Sequence, residues 1–257
     1  MFNLIKTILS GCVCAVICGS AGMVFAQDQA ARQSFIQANL AYRQNKYDAA
    51  ISGYQKAVEQ GFVSGNVYYN LGNSYFKKGD IGKALLNYER ARIFIPADSD
   101  LKANYEYALA ELNLPESAGG GRLALAVNNL FGFFDVDGLA VWIFVLSLLF
   151  FGSLTAALAW RKLRSAVKYL SLVLIFLAVV SIMALSRRIS LIENGAVVIA
   201  GDAEVRFEPM ASATVYFKAP EGSFVEIVEK YDNWYKIKRP DNKAGWVDKS
   251  RVELISD

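Results

Sequence analysis

The sequence predicts a multidomain α plus β chain: a unit of helical hairpins, a two-helix transmembrane hairpin and a small C-terminal β-barrel. Three observations predict it. Two blocks in the N-terminal half repeat their residue types at a period of 34. Two uncharged apolar stretches, 139–160 and 169–186, each have the length of a bilayer crossing. From residue 194 onward the chain becomes short β-branched runs separated by turn residues.

Composition limits the choices. The 257 residues are 54% hydrophobic and 20% charged, room for one or two ordinary domains. The apolar share exceeds the usual 45–50% or so, and most of the excess lies in three continuous runs. A net charge of +3 provides no global field for a nucleic-acid partner. The chain has no histidine, so the commonest general base and metal ligand are both missing.

The first apolar run lies at the N-terminus. Lys6 gives a short positive region, residues 8–25 are apolar or small, and Val24-Phe25-Ala26 resembles a cleavage site before Gln27. This reads as a secretory signal peptide over 1–26. Two alternatives stay open: a lipoprotein-type cut at Leu9-Ser10-Gly11-Cys12, and an uncleaved anchor. Cys12, Cys14 and Cys18 all lie inside this segment, so a chain cut after Ala26 has no thiol chemistry.

The other two runs read as transmembrane helices. At 1.5 Å per residue they reach roughly 33 and 27 Å, which fits a hydrocarbon core of about 30 Å. Trp142, Trp160 and Tyr169 stand near the ends, where amphipathic rings favour the interface. The connecting loop 161–168 holds Arg161, Lys162, Arg164 and Lys168 and no acid. That bias keeps the loop in the cytoplasm and puts both larger domains outside, at the periplasmic face of a bacterial inner membrane. The signal peptide independently demands the same of the N-terminal part.

The repeat decides the fold of the N-terminal half. Ala50, Tyr54 and Ala57 recur as Ala84, Tyr88 and Ala91. The second copy adds Tyr68, Leu71, Gly72, Tyr75 and a closing Pro96. This pattern resembles the tetratricopeptide repeat. Copies are expected at about 31–64 and 65–98, followed by a capping helix at 99–113, within a unit spanning 27–114. Small Ala and Gly let paired helices approach, aromatics fill the remaining gaps, and Gly79 marks a helix end. The first copy departs from the pattern, with Phe62 where Pro is usual.

In the resembled family one face of each first helix lines a concave groove. Here that face carries Arg32, Phe35, Asn39, Tyr42 and Arg43, then Asn66, Tyr69, Asn73, Phe76 and Lys77. Asn39 and Asn73 stand 34 residues apart, as do Tyr42 and Phe76, and Arg43 and Lys77. Asparagine amides can hydrogen-bond an extended backbone, and aromatics offer contact area at low entropic cost. The core binding set is therefore Asn39, Tyr42, Arg43, Tyr69, Asn73, Phe76 and Lys77. The competing reading leaves these side chains in solvent or packed on the linker. A carboxylate clamp is not expected, because Phe35, Asp100 and Asn104 occupy its basic positions.

Residues 115–138 read as a Gly-rich joint around Gly119-Gly120-Gly121 followed by an interfacial helix. The region 194–257 resembles the bacterial SH3-like (SH3b) domain. Its marks are Val205-Arg206 with Pro209, then Gly222 to Val228, then Trp234-Tyr235-Lys236-Ile237 and Gly245-Trp246-Val247. Relatives of such barrels bind cell-wall peptides or act as spacers. Tyr216, Tyr231 and Trp234 are the candidates for an exposed aromatic groove, whereas Trp246 reads as part of the barrel core.

No motif points to catalysis. Gly119-Gly120-Gly121 lacks the Lys-Ser/Thr of a phosphate loop, and the acidic residues are scattered. No cofactor and no metal are expected. The order of parts resembles the Bat aerotolerance family, in particular its BatE-type member. That resemblance implies a non-catalytic scaffold with protein partners in a membrane complex linked to stress or oxygen tolerance. The alternative is an envelope sensor or anchor whose barrel holds peptidoglycan peptides. The topology has a direct check. A cysteine placed at Ser165 should resist a membrane-impermeant thiol reagent, and one at Ser117 or Ser250 should react; the reverse pattern rejects the orientation.

Overall fold

The computed structural model describes residues 28–115, 131–132 and 134–256. The expected signal segment and most of the expected joint and interfacial helix lie outside these residues. The N-terminal unit is five helices: α1 over 28–43, α2 Tyr47–Glu59, α3 Gly65–Lys78, α4 Ile81–Phe94 and α5 Ser99–Glu111. They form two hairpins and a single closing helix. The 34-residue period becomes packing here. Ala50, Ala57, Ala84 and Ala91 are fully buried, and so are the rings of Tyr54 and Tyr88. Ser64 caps α3 by accepting from Val67 N, Asp98 caps α5 by accepting from Leu101 N, and Gly79 closes α3 with a left-handed φ of 88°. Phe62, in place of the usual proline, packs its ring on Phe35 at 5.4 Å.

Two further helices are long and apolar enough to cross a membrane: α6 Val136–Ala159 and α7 Arg164–Asn194. Only 11% and 17% of their most apolar windows is buried, which a soluble core helix would not tolerate. The basic stretch expected as a loop at 161–168 is largely helical. A 3-10 turn, Arg161–Leu163, leads directly into α7 at Arg164. The helix also continues past the expected end at residue 186, because nothing between Arg187 and Asn194 breaks it. At 31 residues, α7 is about 46 Å long and exceeds a hydrocarbon core by roughly 16 Å. The far ends of the pair are tied together. Asp135 caps α6 by accepting from Gly138 N at 2.7 Å. Arg188 donates to the Phe134 carbonyl, and Phe134 stacks on Trp142.

The C-terminal region is one antiparallel sheet closed around an apolar core. Its strands are β1 Gly195–Val198, β2 Ala203–Arg206, β3 Val215–Ala219, β4 Phe224–Tyr231, β5 Trp234–Lys238, β6 Ala244–Asp248 and β7 Val252–Leu254. Their order is β3-β2-β6-β5-β4-β1-β7. Val198, Val205, Val225, Ile237 and Val247 fill the centre, and Trp246 is buried as expected of a core residue. The strand β1 follows α7 without a linker.

The barrel sits on α4. Val197 and Ile255 belong to the same buried cluster as the repeat helices, with Ile199, Phe224, Leu112 and Leu114 around them. Buried Arg90 donates to the carbonyls of Ile255 at 3.2 Å and Leu254 at 2.9 Å, and to Glu253 Oε1 at 3.0 Å. Glu221 from the barrel accepts from Gly82 N at 2.9 Å and so caps α4, whose own Asp80 makes no side-chain cap. Gly222, at a φ of +78°, leaves room for Leu85, whose Cδ1 lies 2.5 Å from where a Cβ would stand. Hydrogen bonds involving a charged group contribute about 1.5–3 kcal/mol each, and burial of one aliphatic side chain contributes a similar amount. The apolar patch therefore supplies most of the adhesion, while the Arg90 fork fixes orientation.

Replacing Arg90 leaves two carbonyls and Glu253 without their donor. Arg90→Met is expected to lower stability by about 2–3 kcal/mol, read as a shift of the denaturant midpoint of the detergent-solubilised chain. Arg90→Lys should recover little of it, because a point ammonium cannot reproduce the fork.

Candidate functional site

The groove expected from the sequence lies on α1, α3 and α5, and a repeated hydrogen-bond unit builds it. Tyr54 OH donates to Asn39 Oδ1 at 2.7 Å, and Asn70 Nδ2 donates to the same oxygen at 3.1 Å. One repeat later, Tyr88 OH donates to Asn73 Oδ1 at 2.8 Å and Asn104 Nδ2 donates at 2.9 Å. Each participant recurs 34 residues on. The asparagine amides were expected to be able to hydrogen-bond an extended backbone. Their oxygens are held inside the fold, and this fixes each carboxamide in one orientation. Among the described residues the Nδ2 groups of Asn39 and Asn73 have no hydrogen-bond partner and are not buried, so each leaves a donor free on a fixed plane.

Aromatic walls flank these donors. Tyr42 packs edge-on against Tyr47 at 5.7 Å, and Tyr69 tilts on Tyr88 at 6.2 Å. Tyr69 OH also accepts from Asn104. Phe76 meets the exposed Tyr107 of α5 at 5.5 Å. Arg43 and Lys77 are exposed on the rim, and neither forms an ion pair among the described residues. Lys78, one residue on, is held by Asp48. Phe35 does not line the groove as a free ring; it packs on Tyr54 and Phe62. Arg32 is spent on Asp28 and the Phe62 face. Asn66 is exposed near the start of α3.

Burial keeps the phenols neutral. It pushes Tyr54 up to about 12, with Tyr42 adding to the shift and Arg43 opposing it. It raises Tyr88 further, helped by Tyr69 and Tyr42, and raises Tyr42 to a smaller degree. All three remain hydroxyl donors at neutral pH. Two members of the site are missing from the sequence-derived set, Asn70 and Asn104. Their own 34-residue spacing was the signal that could have found them.

On the barrel the three aromatic candidates do not converge. Tyr231 and Trp234 stand directly opposite each other across β4 and β5, and Tyr231 meets Trp246 edge-on at 6.2 Å. Tyr216 lies on edge strand β3, three strands away from β5 in the sheet order. Its ring partners are Phe207 at 4.5 Å and Phe217 at 5.2 Å. Phe207 and Met210 are exposed beside it, a second apolar patch that the sequence reading left out.

Among the described residues no three His, Cys, Asp or Glu side chains come together as a metal site. A cleft of about 600 Å³ opens at the seam of the two units. Its charges are already used: Lys83 faces Asp80, Lys78 faces Asp48 and Glu221 caps α4. The groove is therefore the better-built surface.

The parts now have counterparts among known families. Residues 65–98 match the family model of the tetratricopeptide repeat. Residues 201–253 match that of the bacterial SH3 domain. No curated protein matches the chain. Domains of both kinds are typically interaction modules without catalysis, which accords with a tetratricopeptide groove built of fixed donors and aromatic walls.

The hydrogen-bond unit has a pH signature. Tyr54 has a raised pKa in the folded chain, so its contribution to stability is complete below pH 10 and fades as pH rises toward 12. Tyr54→Phe is expected to lose about 1 kcal/mol at neutral pH and to flatten that alkaline decline. Denaturation midpoints measured from pH 8 to 12 check both.

Proposed function

We propose that this chain is a non-catalytic, membrane-anchored scaffold that holds a protein partner at the periplasmic face of a bacterial inner membrane. The observation that carries this reading is the paired set of fixed, free amide donors on Asn39 and Asn73. They are framed by Tyr42, Tyr69 and Phe76 and edged by Arg43 and Lys77. An extended polypeptide suits them: its carbonyls accept from the amides, and its side chains lie on the rings.

The seam supports the topology. A barrel that packs on α4 lies at the same end of the α6–α7 hairpin as the repeats. Two crossings then return the chain to its starting side. The basic residues 161–164 lie at the other end and favour the cytoplasm. The resemblance to the BatE-type member of the Bat aerotolerance family adds a context, a stress-linked membrane complex. A second reading, in which the SH3 domain holds cell-wall peptides, draws on the exposed Phe207, Met210 and Tyr216 patch.

Photo-crosslinking in intact cells separates the two. A photoreactive residue at Tyr69 should give a discrete protein adduct, and one at Tyr216 should give none with the cell wall. Tyr42→Ala with Tyr69→Ala should reduce the protein adduct roughly tenfold or more, as expected for two central aromatic contacts. Adducts only between Tyr216 and cell-wall material would replace the scaffold reading with the anchor reading.

A further inference from the structure

The direction of each element relative to the apolar hairpin follows from its contacts. The C-terminal end of α4, Phe94 to Asp98, shares a cleft of about 440 Å³ with Phe134 and Asp135 at the start of α6. The N-terminal end of α4 lies against Val198 and Glu221. Midway, Arg90 meets Leu254 and Ile255, and Ile255 N donates to the Gly195 carbonyl. The strand β1 therefore runs from Gly195 to Val198 antiparallel to α4, away from the apolar helices.

The antiparallel strand β4 must run back toward them. Glu226 stands opposite Gly195 and pairs with Arg187 of α7 at 2.8 Å. Five more residues carry β4 from Glu226 to Tyr231, at most about 16 Å at 3.3 Å per residue, with a register shift between Ile227 and Glu229 on the way. The helix climbs only about 10 Å from Arg187 to Asn194. The tip of the β4–β5 hairpin thus descends to the level of Arg187, where the uncharged stretch 169–186 ends.

The tip is built for that level. Tyr231 is 60% exposed and Val228 is 52% exposed, and Trp234 faces Tyr231 across the turn. Lys230 and Lys249 flank the Tyr235 ring at 5.7 and 5.1 Å, and neither forms an ion pair among the described residues. Glu229 is neutralised by Lys236 at 3.1 Å, which leaves Asp232 at the turn and Asp248, opposite Trp234 on β6, as the opposing charges. Rings with one polar edge, beside unpaired ammonium groups, match the chemistry of a phospholipid headgroup layer.

We propose that the β4–β5 hairpin tip is a foot on the membrane surface, with Tyr231 and Trp234 seated among lipid headgroups and Lys230 and Lys249 directed at lipid phosphates. This rests on the reading of α6 and α7 as spans. It gives the barrel a second attachment besides α7 and holds the repeat groove at a fixed height and tilt.

The test uses the full chain with Cys12, Cys14 and Cys18 replaced by serine, reconstituted in vesicles of phosphatidylethanolamine and phosphatidylglycerol. A spin label is placed in turn on Tyr231→Cys, Tyr216→Cys and Phe176→Cys. Collisions with oxygen and with a water-soluble relaxation agent report depth. The label at 176 should read as hydrocarbon and that at 216 as water. The label at 231 should lose collisions with the aqueous agent and gain them with oxygen, at headgroup depth. A label at 231 as aqueous as that at 216, with 176 in lipid, overturns the foot alone. A label at 176 that reads as water overturns the span reading and the foot together.

Discussion

Arg90 sits in the last two turns of α4 with its guanidinium taken out of water, and its place there organises the molecule. Burial of an unpaired cation would cost several kcal/mol. The fork avoids that only by meeting the Leu254 and Ile255 carbonyls and the Glu253 carboxylate at once. Such a directional requirement can be met at one orientation of barrel on helix, whereas an apolar patch alone tolerates sliding. The Glu221 cap at the other end of α4 adds a second fixed point. Two polar locks about 12 Å apart along α4, at Gly82 and Arg90, join the repeats to the barrel, and the chain passes through α6 and α7 between them.

The groove shows a different use of polar groups. Asparagine in a helix interior is a weak helix former, so a repeated asparagine has a reason to be there. Here the reason is internal. Asn39 and Asn73 each satisfy a buried tyrosine hydroxyl and a neighbouring amide. Removing the carboxamide would strand a hydroxyl at a cost of about 1–3 kcal/mol. The same bonds fix the plane of each carboxamide and leave its amide protons without an internal partner. In the proposed scaffold, structural and recognition roles share one side chain, and the internal bonds hold the carboxamide in one geometry.

Elements that answer to a local rule were legible in the sequence. The 34-residue period exposed the repeats because every copy must solve the same packing problem with the same small and aromatic residues. β-Branched runs and turn residues exposed the strands, and uncharged length exposed α6 and α7. Contacts between distant residues were not legible. Arg90 and Ile255 are 165 positions apart, and an arginine near the end of a helix reads as an ordinary solvent-facing charge. Arg187 and Arg188 end the apolar run, yet α7 continues because no helix breaker follows them. Tyr216, Tyr231 and Trp234 looked alike as aromatics in a barrel; only the strand order separates the edge-strand ring from the hairpin pair. The double duty of Asn39 and Asn73 was half visible, since spacing gave the positions but not the direction of each amide.

Rigidity has a thermodynamic consequence for whatever the groove holds. Association loses translational and rotational freedom, and each side chain that must be immobilised adds about 0.5–1.5 kcal/mol. In this groove the amides are oriented before any ligand arrives, and Tyr69 is already packed on Tyr88. The direct junction of α7 and β1, together with the Arg90 lock, extends the same economy to the whole head, because the groove is not on a flexible tether. A partner tethered to the same membrane would then meet the groove at a defined height. For such a partner the gain comes from effective concentration rather than from additional contacts. On the proposed reading that gain exists only while the seam holds, so the arginine that orients the barrel also sets the height of the groove.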